Sequence, residues 1–162
     1  MQSRGRAGRT AAALGAVSLM LAALAACEKP SPMATVTVGT ESVSSQAGCY
    51  NDGKKLSQDQ LAGCLKEKGG EKLAVSDGER VRVGVDPEVA ESGWAMVVNG
   101  QGTMAEAAKD TYRSFDHEEI FAPQQGESGA ATVPETAQVT LVEVDKSGAA
   151  KGTWSFTLER AS

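Results

Sequence analysis

The first 26 residues follow a different hydrophobic pattern from the rest of the chain. Residues 11–26 are uncharged and mostly apolar, and three arginines, Arg4, Arg6 and Arg9, precede them. A positive start, a short apolar stretch and small residues before a cleavage point are typical of a secretory signal. The stretch is shorter than the roughly 20 residues that span a bilayer as a helix. The pattern therefore predicts a signal peptide over residues 1–26, which forms an N-terminal signal helix.

Downstream, apolar positions alternate with polar ones in short runs that turn residues separate. The clearest runs are residues 34–38, 81–85 and 154–158, and the Asn99-Gly100 pair is a strong turn signal. Long amphipathic stretches that could serve as crossover helices are missing, which argues against a parallel sheet. We expect a mostly β protein, in which residues 34–162 form one small antiparallel β-sandwich that is immunoglobulin-like in the loose sense.

A single short helix interrupts this strand pattern. Ser57 stands at an N-cap position and Gln60 follows three residues later, which is the spacing of a capping box. Leu56 and Leu61 occupy the two positions of a hydrophobic staple. Gly69-Gly70 ends the segment. The pattern predicts an amphipathic helix that covers part of a sheet.

Two later segments carry weaker patterns. Bulky residues alternate over residues 112–121, which predicts a strand, and residues 122–135 are rich in Gly, Pro and Ser, which predicts a surface loop. Residues 138–144 form a clear β run. Its inward phase changes between Leu141 and Val142, as a β-bulge would require.

The three cysteines differ in their expected roles. Cys27 follows the apolar stretch, which leaves Cys49 and Cys64 as an even pair on either side of the predicted helix. In an exported protein such a pair is expected to form a disulfide bond, which would pin that helix. A redox or metal-binding pair is the alternative, although fourteen intervening residues match neither a C-x-x-C motif nor a zinc spacing.

The four residues Leu24-Ala25-Ala26-Cys27 resemble the lipobox of a bacterial lipoprotein. They predict cleavage before Cys27 and attachment of a palmitate-type lipid to its sulfur. Two or more acyl chains anchor a protein stably, so no membrane-spanning helix is needed. Residues 27–33, polar and holding two prolines, would form the tether. The alternatives are a soluble secreted protein, in which Cys27 is incidental, or an uncleaved anchor.

The net charge of the mature chain limits the kinds of partner that we expect. Removing residues 1–26 takes away three arginines and no acidic residue, so the formal net charge falls from −5 to −8. An acidic domain of this kind is not expected to bind nucleic acid or to grip anionic lipid through a basic patch. We expect membrane attachment through the lipid alone, on the extracytoplasmic face of the cell membrane. An envelope protein or a cell-wall component is the expected partner.

His117, the single histidine, lies among three carboxylates in the segment Phe115-Asp116-His117-Glu118-Glu119. A metal site that uses His117 with Asp116 and Glu119 is one hypothesis, because imidazole and carboxylate are common ligands. In an extended segment, however, neighbouring side chains point to opposite faces. A solvated acidic turn is the competing interpretation.

Other side chains that could carry chemistry are explained more simply by packing. Met96 lies in an apolar run, which favours core packing over a copper(I) site. Trp94 and Trp154 are expected in the core, although an exposed pair would form an aromatic ligand platform. No G-x-S-x-G elbow or phosphate-binding glycine loop is present in the sequence. We therefore expect neither enzyme activity nor a cofactor.

The lipobox, the short Cys-Cys module and the segments SDGERVRVGV, SGWAMVVNG and KGTWSFTLE together resemble actinobacterial small lipoproteins of uncharacterised function. The resemblance covers most of residues 34–159. It implies a membrane-attached β-sandwich domain and carries over no catalytic residue. The expected function is therefore a non-catalytic, lipid-anchored binding or accessory domain. The alternatives are a metal-handling lipoprotein that uses His117 and an unrecognised hydrolase.

Overall fold

The structure is a computed structural model that describes residues 30–125 and 129–161. The chain from Ser31 onward forms one compact unit. The signal peptide over residues 1–26 and the lipidation of Cys27 lie outside the described residues, so both stay predictions. Within the described part, the prediction of a mostly β, antiparallel sandwich is confirmed.

Two sheets form the sandwich. The first sheet has the strand order β2-β1-β5-β8, all antiparallel: β1 Met33–Val38, β2 Glu41–Gln46, β5 Arg80–Val85 and β8 Tyr112–Asp116. The second sheet has the strand order β3-β12-β11-β6-β7: β3 Cys49–Tyr50, β6 Trp94–Val98, β7 Gln101–Gly102, β11 Thr136–Val144 and β12 Ala150–Arg160. β4 (Glu71–Val75) also pairs with β12, and this pair is parallel.

The remaining elements are short. The helices are α1 Gln58–Lys66, α2 Pro87–Ser92 and α3 His117–Ile120. A two-stranded ribbon of β9 (Gln124–Gln125) and β10 (Ala131–Thr132) lies within residues 122–135, where the sequence predicted a loop. The ribbon is so short that its Gln and Thr residues give no alternating pattern to detect.

The core lies between the sheets and follows from the alternation of apolar residues along the strands. Val81, Val83 and Val85 of β5 point inward, and Trp154, Phe156 and Leu158 of β12 face them. Trp94, Trp154 and Met96 are fully buried, so the prediction that they are core residues is confirmed. Apolar area removed from water at about 25 cal/mol per Å² is the main favourable contribution to folding.

The predicted helix forms as α1. The Ser57 side chain accepts a hydrogen bond from the Gln60 backbone N–H at 3.2 Å, and the Gln60 side chain accepts one from the Ser57 N–H at 2.9 Å. These two bonds satisfy backbone donors that the first helical turn leaves free. Cys64 on α1 is bonded to Cys49 on β3, so the predicted disulfide bond is confirmed. It fastens the helix beside β12, with which β3 pairs.

Gly70 marks the place where the chain crosses β12 on its way from α1 to β4. A Cβ atom at this position would lie 1.9 Å from the Ser155 carbonyl oxygen, and φ is +94°. An L side chain would therefore meet both a clash and an unfavourable backbone conformation. Gln138 holds the neighbouring Gly69 by accepting from its N–H at 3.1 Å and donating to its carbonyl at 2.8 Å.

The sandwich has two ends, which we name by the start of β1. The near end contains the start of β1, the end of β5, α2, residues 51–56 and the turn at residues 145–148. The far end contains the turns at residues 39–40, 76–79 and 99–100, together with α3. α2 links the two sheets at the near end, and the 76–79 turn links them at the far end.

Three local features differ from the sequence interpretation. Residues 112–121 were predicted as a strand, but the strand ends at Asp116 and α3 follows it. The register shift in the β11–β12 pair lies between Glu143 and Val144, two residues later than predicted. α2, which begins at Pro87, was not predicted. Its signal is the proline at the first helical position, which Asp86 precedes as N-cap.

Candidate functional site

The chain becomes fixed to the domain five residues after Cys27. The Pro32 carbonyl accepts a hydrogen bond from the indole Nε1 of the buried Trp154 at 2.8 Å. The Met33 N–H donates to the Asp86 carboxylate at 2.8 Å, and the Met33 carbonyl accepts from the Asp86 N–H at 3.1 Å. These contacts begin the described domain at Pro32, one residue before β1.

His117 lies on α3 and is 8% exposed. Its ring contacts the Phe121 ring, with 4.9 Å between the centroids. The Nε2 atom is buried and has no hydrogen-bond partner, while the nearest acidic oxygen is Oδ1 of Asp77 at 3.4 Å. Asp77 belongs to the 76–79 turn, forty residues earlier in the chain, so no local sequence pattern identified it as the neighbour of His117.

The carboxylates that the metal hypothesis grouped with His117 have other partners. Asp116 forms an ion pair with Arg80 at 2.9 Å, and Glu119 accepts a hydrogen bond from the Asp116 backbone N–H at 2.7 Å. Because α3 is helical, the alternation expected of an extended segment does not apply here. Within residues 30–125 and 129–161, no three His, Cys, Asp or Glu side chains converge as a metal site.

A second cluster, which sequence reasoning missed, lies at the near end. The Lys151 ammonium donates to the Glu143 carboxylate and to the Ser92 hydroxyl, each at 2.8 Å. The Glu143 side chain is 4% exposed and the Lys151 side chain 19%. The signal for this cluster in the sequence is the charged Glu143 within an otherwise apolar strand, because a buried carboxylate requires a partner.

Ser92 and Lys151 have the residue types of a nucleophile and a base, and in the structure Lys151 donates to both Ser92 and Glu143. These bonds connect the end of α2 to β11 and β12. Nearby, Lys109 donates to the carbonyls of Glu91 and Ser92, which are at the carboxyl end of α2. The two lysines therefore fasten the end of α2, Lys109 to the segment before β8 and Lys151 to β12.

The turn from β11 to β12 is ordered by one carboxylate. Asp145 accepts from the Ser147 hydroxyl at 2.6 Å and from the backbone N–H groups of Ala149 at 3.0 Å and Ser147 at 2.8 Å. These donors, the Ser147 hydroxyl first, hold the pKa of Asp145 well below its usual range because they stabilise the ionised form. Lys55 adds an ion pair at 3.2 Å.

Two grooves on the surface contain few side chains that could act together on a ligand. One groove of about 480 Å³ lies between residues 103–107 and β8, and Arg113 and Glu119 line it. Arg113 is paired with Asp110 at 2.7 Å, and Glu119 is held by the Asp116 backbone. A smaller cleft of about 160 Å³ borders Cys64 and Gly70 and is lined mostly by small and backbone groups.

Neither tryptophan is available as a ligand platform, since both are buried. Tyr112 is the large aromatic residue that the structure leaves most exposed within its described ranges, at 53%. It stands on β8 opposite Gly84 of β5. Across the parts of the chain that the structure covers, no helix has the length and apolar character to pass through a bilayer.

Comparison with known proteins adds little beyond the fold. No family model matches the chain, and no curated protein does either. Among solved structures, the fibronectin(III)-like modules of Clostridium thermocellum CbhA are similar, with a TM-score of 0.38 and 10% sequence identity. That match covers 59% of this chain and 94% of the module.

Proposed function

We propose that this protein is an exported lipoprotein, anchored to the extracytoplasmic face of the cell membrane through Cys27, whose sandwich domain has a non-catalytic binding or accessory role. The observation that carries the proposal is the bond between Cys49 and Cys64. Structural disulfides form and persist in oxidising compartments outside the cytoplasm. The bond therefore supports export, which is what the apolar segment before Cys27 predicts.

The position of Cys27 supports lipidation over simple secretion. Pro32, five residues after Cys27, is hydrogen-bonded to the core, so at most five residue steps separate the cysteine from the domain. Because Cys49 and Cys64 are bonded to each other, Cys27 without lipid would be a free thiol in an oxidising compartment, where thiols are reactive. Acylation of the sulfur removes that liability and attaches the domain to the membrane.

The non-catalytic part of the proposal rests on the two clusters that contain titratable groups. At the near end, Lys151 donates to Ser92 and Glu143 and so supports the fold. At the far end, His117 is buried against Phe121 and has one carboxylate nearby. Neither cluster combines a nucleophile, a base and an accessible cleft, which hydrolysis requires.

Metabolic labelling of the native host with an alkyne-bearing palmitate analogue tests the anchor. We expect label on the wild-type protein and its recovery in the membrane fraction. Cys27→Ser should lose both the label and membrane retention. The matched control is Cys49→Ser with Cys64→Ser, which removes the other two cysteines and should keep the label. Wild-type protein without label, or label that persists in Cys27→Ser, would contradict the proposal.

The accessory role predicts a partner in the cell envelope. Cross-linking of intact cells, followed by purification of the wild-type lipoprotein, should capture a reproducible envelope protein or a fragment of wall polymer. The same procedure on the Cys27→Ser protein provides the control for contacts that require anchoring. Turnover of ester or amide substrates by the purified domain, abolished by Ser92→Ala, would replace this proposal with a hydrolase.

A further inference from the structure

The fixed start of the domain and the short tether limit how the protein can sit on a membrane. Pro32, near the start of the described residues, is hydrogen-bonded to the core through the indole of Trp154. From Cys27 to Pro32 the chain has five steps, which span at most about 18 Å when fully extended. Strand β12, with eleven residues, is about 33 Å long. Acylation of Cys27 would therefore keep the near end beside the bilayer, whereas the far end has no such constraint.

Charge is distributed unequally along the same axis. On the first sheet's side of the far end, the two turns, the end of β8 and α3 carry six carboxylates: Glu41, Asp77, Glu79, Asp116, Glu118 and Glu119. Arg80 and Arg82 are the cations on this side; Arg80 is paired with Asp116, and the Arg82 guanidinium donates to the Gly39 carbonyl at 3.4 Å. On the second sheet's side, Glu135 and Glu159 balance Lys72 and Arg160. With eight carboxylates and four cations, the described far end has a formal charge of −4.

The near end is close to neutral. Its six described cations, on the loops and strand ends, are Lys54, Lys55, Lys109, Arg113, Lys146 and Lys151. Seven carboxylates accompany them, so the formal charge of the described near end is about −1: Asp52, Asp86, Glu88, Glu91, Asp110, Glu143 and Asp145. A bilayer that contains anionic lipid repels negative charge within about a Debye length of 8–10 Å. Such a surface tolerates the near end and repels the far end.

We infer that the lipid-anchored domain stands on the bilayer by its near end, with residues 51–56, α2 and the 145–148 turn facing the lipid headgroups. The far end, with α3 and the 76–79 turn, then projects away from the membrane and is the part that envelope partners can reach. The tether brings the near end to the surface, and the charge of the far end keeps the domain from lying flat. This orientation rests on the proposed lipidation of Cys27.

Paramagnetic relaxation measures the orientation directly. Mature lipoprotein, labelled with ¹⁵N and purified from membranes, is placed in nanodiscs that contain anionic lipid and a lipid with a gadolinium chelate on its headgroup. We expect strong broadening of the amide signals of Lys54, Glu88 and Lys146. The amide signals of Gly39, Gly78 and Gly100 should be at least about tenfold less affected. Equal broadening at both ends, or stronger broadening at the far end, would overturn the orientation.

Two comparisons separate the contributions of tether and charge. Insertion of twenty Gly and Ser residues after Lys29 adds a flexible chain with a root-mean-square length of about 25 Å. Near-end broadening should then fall severalfold. In nanodiscs of neutral lipid, the far end should become more strongly broadened, because the repulsion is gone. If neither change alters the ratio between the two ends, the stated causes of the orientation are wrong.

A further sample distinguishes failure of the orientation from failure of the proposed function. The chain from Cys27 onward is coupled through that thiol to a maleimide lipid in the same nanodiscs. This sample has its anchor whether or not the cell acylates Cys27. Near-end broadening here, combined with an unmodified Cys27 in the native protein, would leave the geometry intact and refute the lipoprotein proposal. Equal broadening of both ends in this sample would refute the orientation alone.

Discussion

The two ends of the sandwich use charged residues in opposite ways. At the near end, Lys151 and Glu143 are drawn into the protein and bond to each other, and Lys109 bonds to the end of α2. At the far end, the acidic residues stay exposed, while His117 is buried with an unpartnered Nε2. At the near end, these charged groups therefore bond to one another and to the end of α2.

This difference separates residues that hold the fold from residues that remain available for contacts. A buried ion pair stabilises mainly through the penalty for breaking it, because a lone buried charge is costly. Exposed carboxylates contribute little to stability and can vary or bind without that penalty. Substitutions at the near end should therefore change the free energy of unfolding much more than substitutions at the far end.

The largest effect is expected for Lys151→Met. It leaves the Glu143 carboxylate buried without its ammonium partner, and the free energy of unfolding should fall by about 4 kcal/mol. Urea unfolding of the mature chain with Cys27→Ser measures the change. The control is Lys151→Met with Glu143→Leu, which removes both charges and should recover most of the loss. A single substitution that costs under about 1 kcal/mol would show that the pair is not effectively buried.

Loss of the disulfide bond should have the next largest effect. Cys49→Ser with Cys64→Ser opens a loop with a sequence separation of 15 residues, which corresponds to about 3 kcal/mol of stability. Amide hydrogen exchange should rise most at α1 and Tyr50, next to the removed bond. It should rise least at Arg160, at the far end of β12. Uniform loss of protection across both ends would show that the bond stabilises the whole domain rather than its near half.

At the far end, His117→Leu should have only a small effect on the free energy of unfolding. The substitution removes a buried nitrogen that has no hydrogen-bond partner and keeps an apolar side chain against Phe121. The free energy of unfolding should change by no more than about 1 kcal/mol, in either direction. Destabilisation by 3 kcal/mol or more would show that the imidazole has a partner in solution, and the contrast between the ends would then fail.

The smallest expected effect concerns the ionisation of Asp145. Its pKa is lower in the folded protein than in the unfolded chain, so ionisation stabilises the fold above the unfolded pKa of about 3.9. That stabilisation is lost as the pH falls through the folded pKa. Carbon NMR of the side-chain carboxyl should show Asp145 still ionised at a pH of about 3.9, where a free aspartate side chain is half protonated. Half protonation of Asp145 at that pH would contradict the hydrogen bonds that its carboxylate accepts.

Local patterns predicted much of the fold. The capping box of α1 depends on Ser57 and Gln60 alone, which are three residues apart, and the alternation in β12 runs from Trp154 to Glu159. The change of phase at Leu141 predicted a bulge in β11, but the register shift follows Glu143 and the residue left out of the register is Lys151 of β12. The pattern of β11 alone could not show this, because the extra residue belongs to its partner strand.

The candidate sites were less predictable because they join distant segments. His117 and Asp77 lie forty positions apart, and Ser92 and Lys151 lie fifty-nine apart. α3 escaped detection because it is only one turn long, although Asp116 and Glu119 have the spacing of an N-terminal cap. Short helices carry little periodicity, so the cap was the one available signal.

The most direct test of the lipoprotein account is intact-mass spectrometry of the mature protein purified from its native membrane. The account predicts an amino-terminal Cys27 that carries a diacylglyceryl group, with residues 1–26 removed and the bond between Cys49 and Cys64 intact. A mature amino terminus at any other residue, or an unmodified Cys27 thiol, would contradict it.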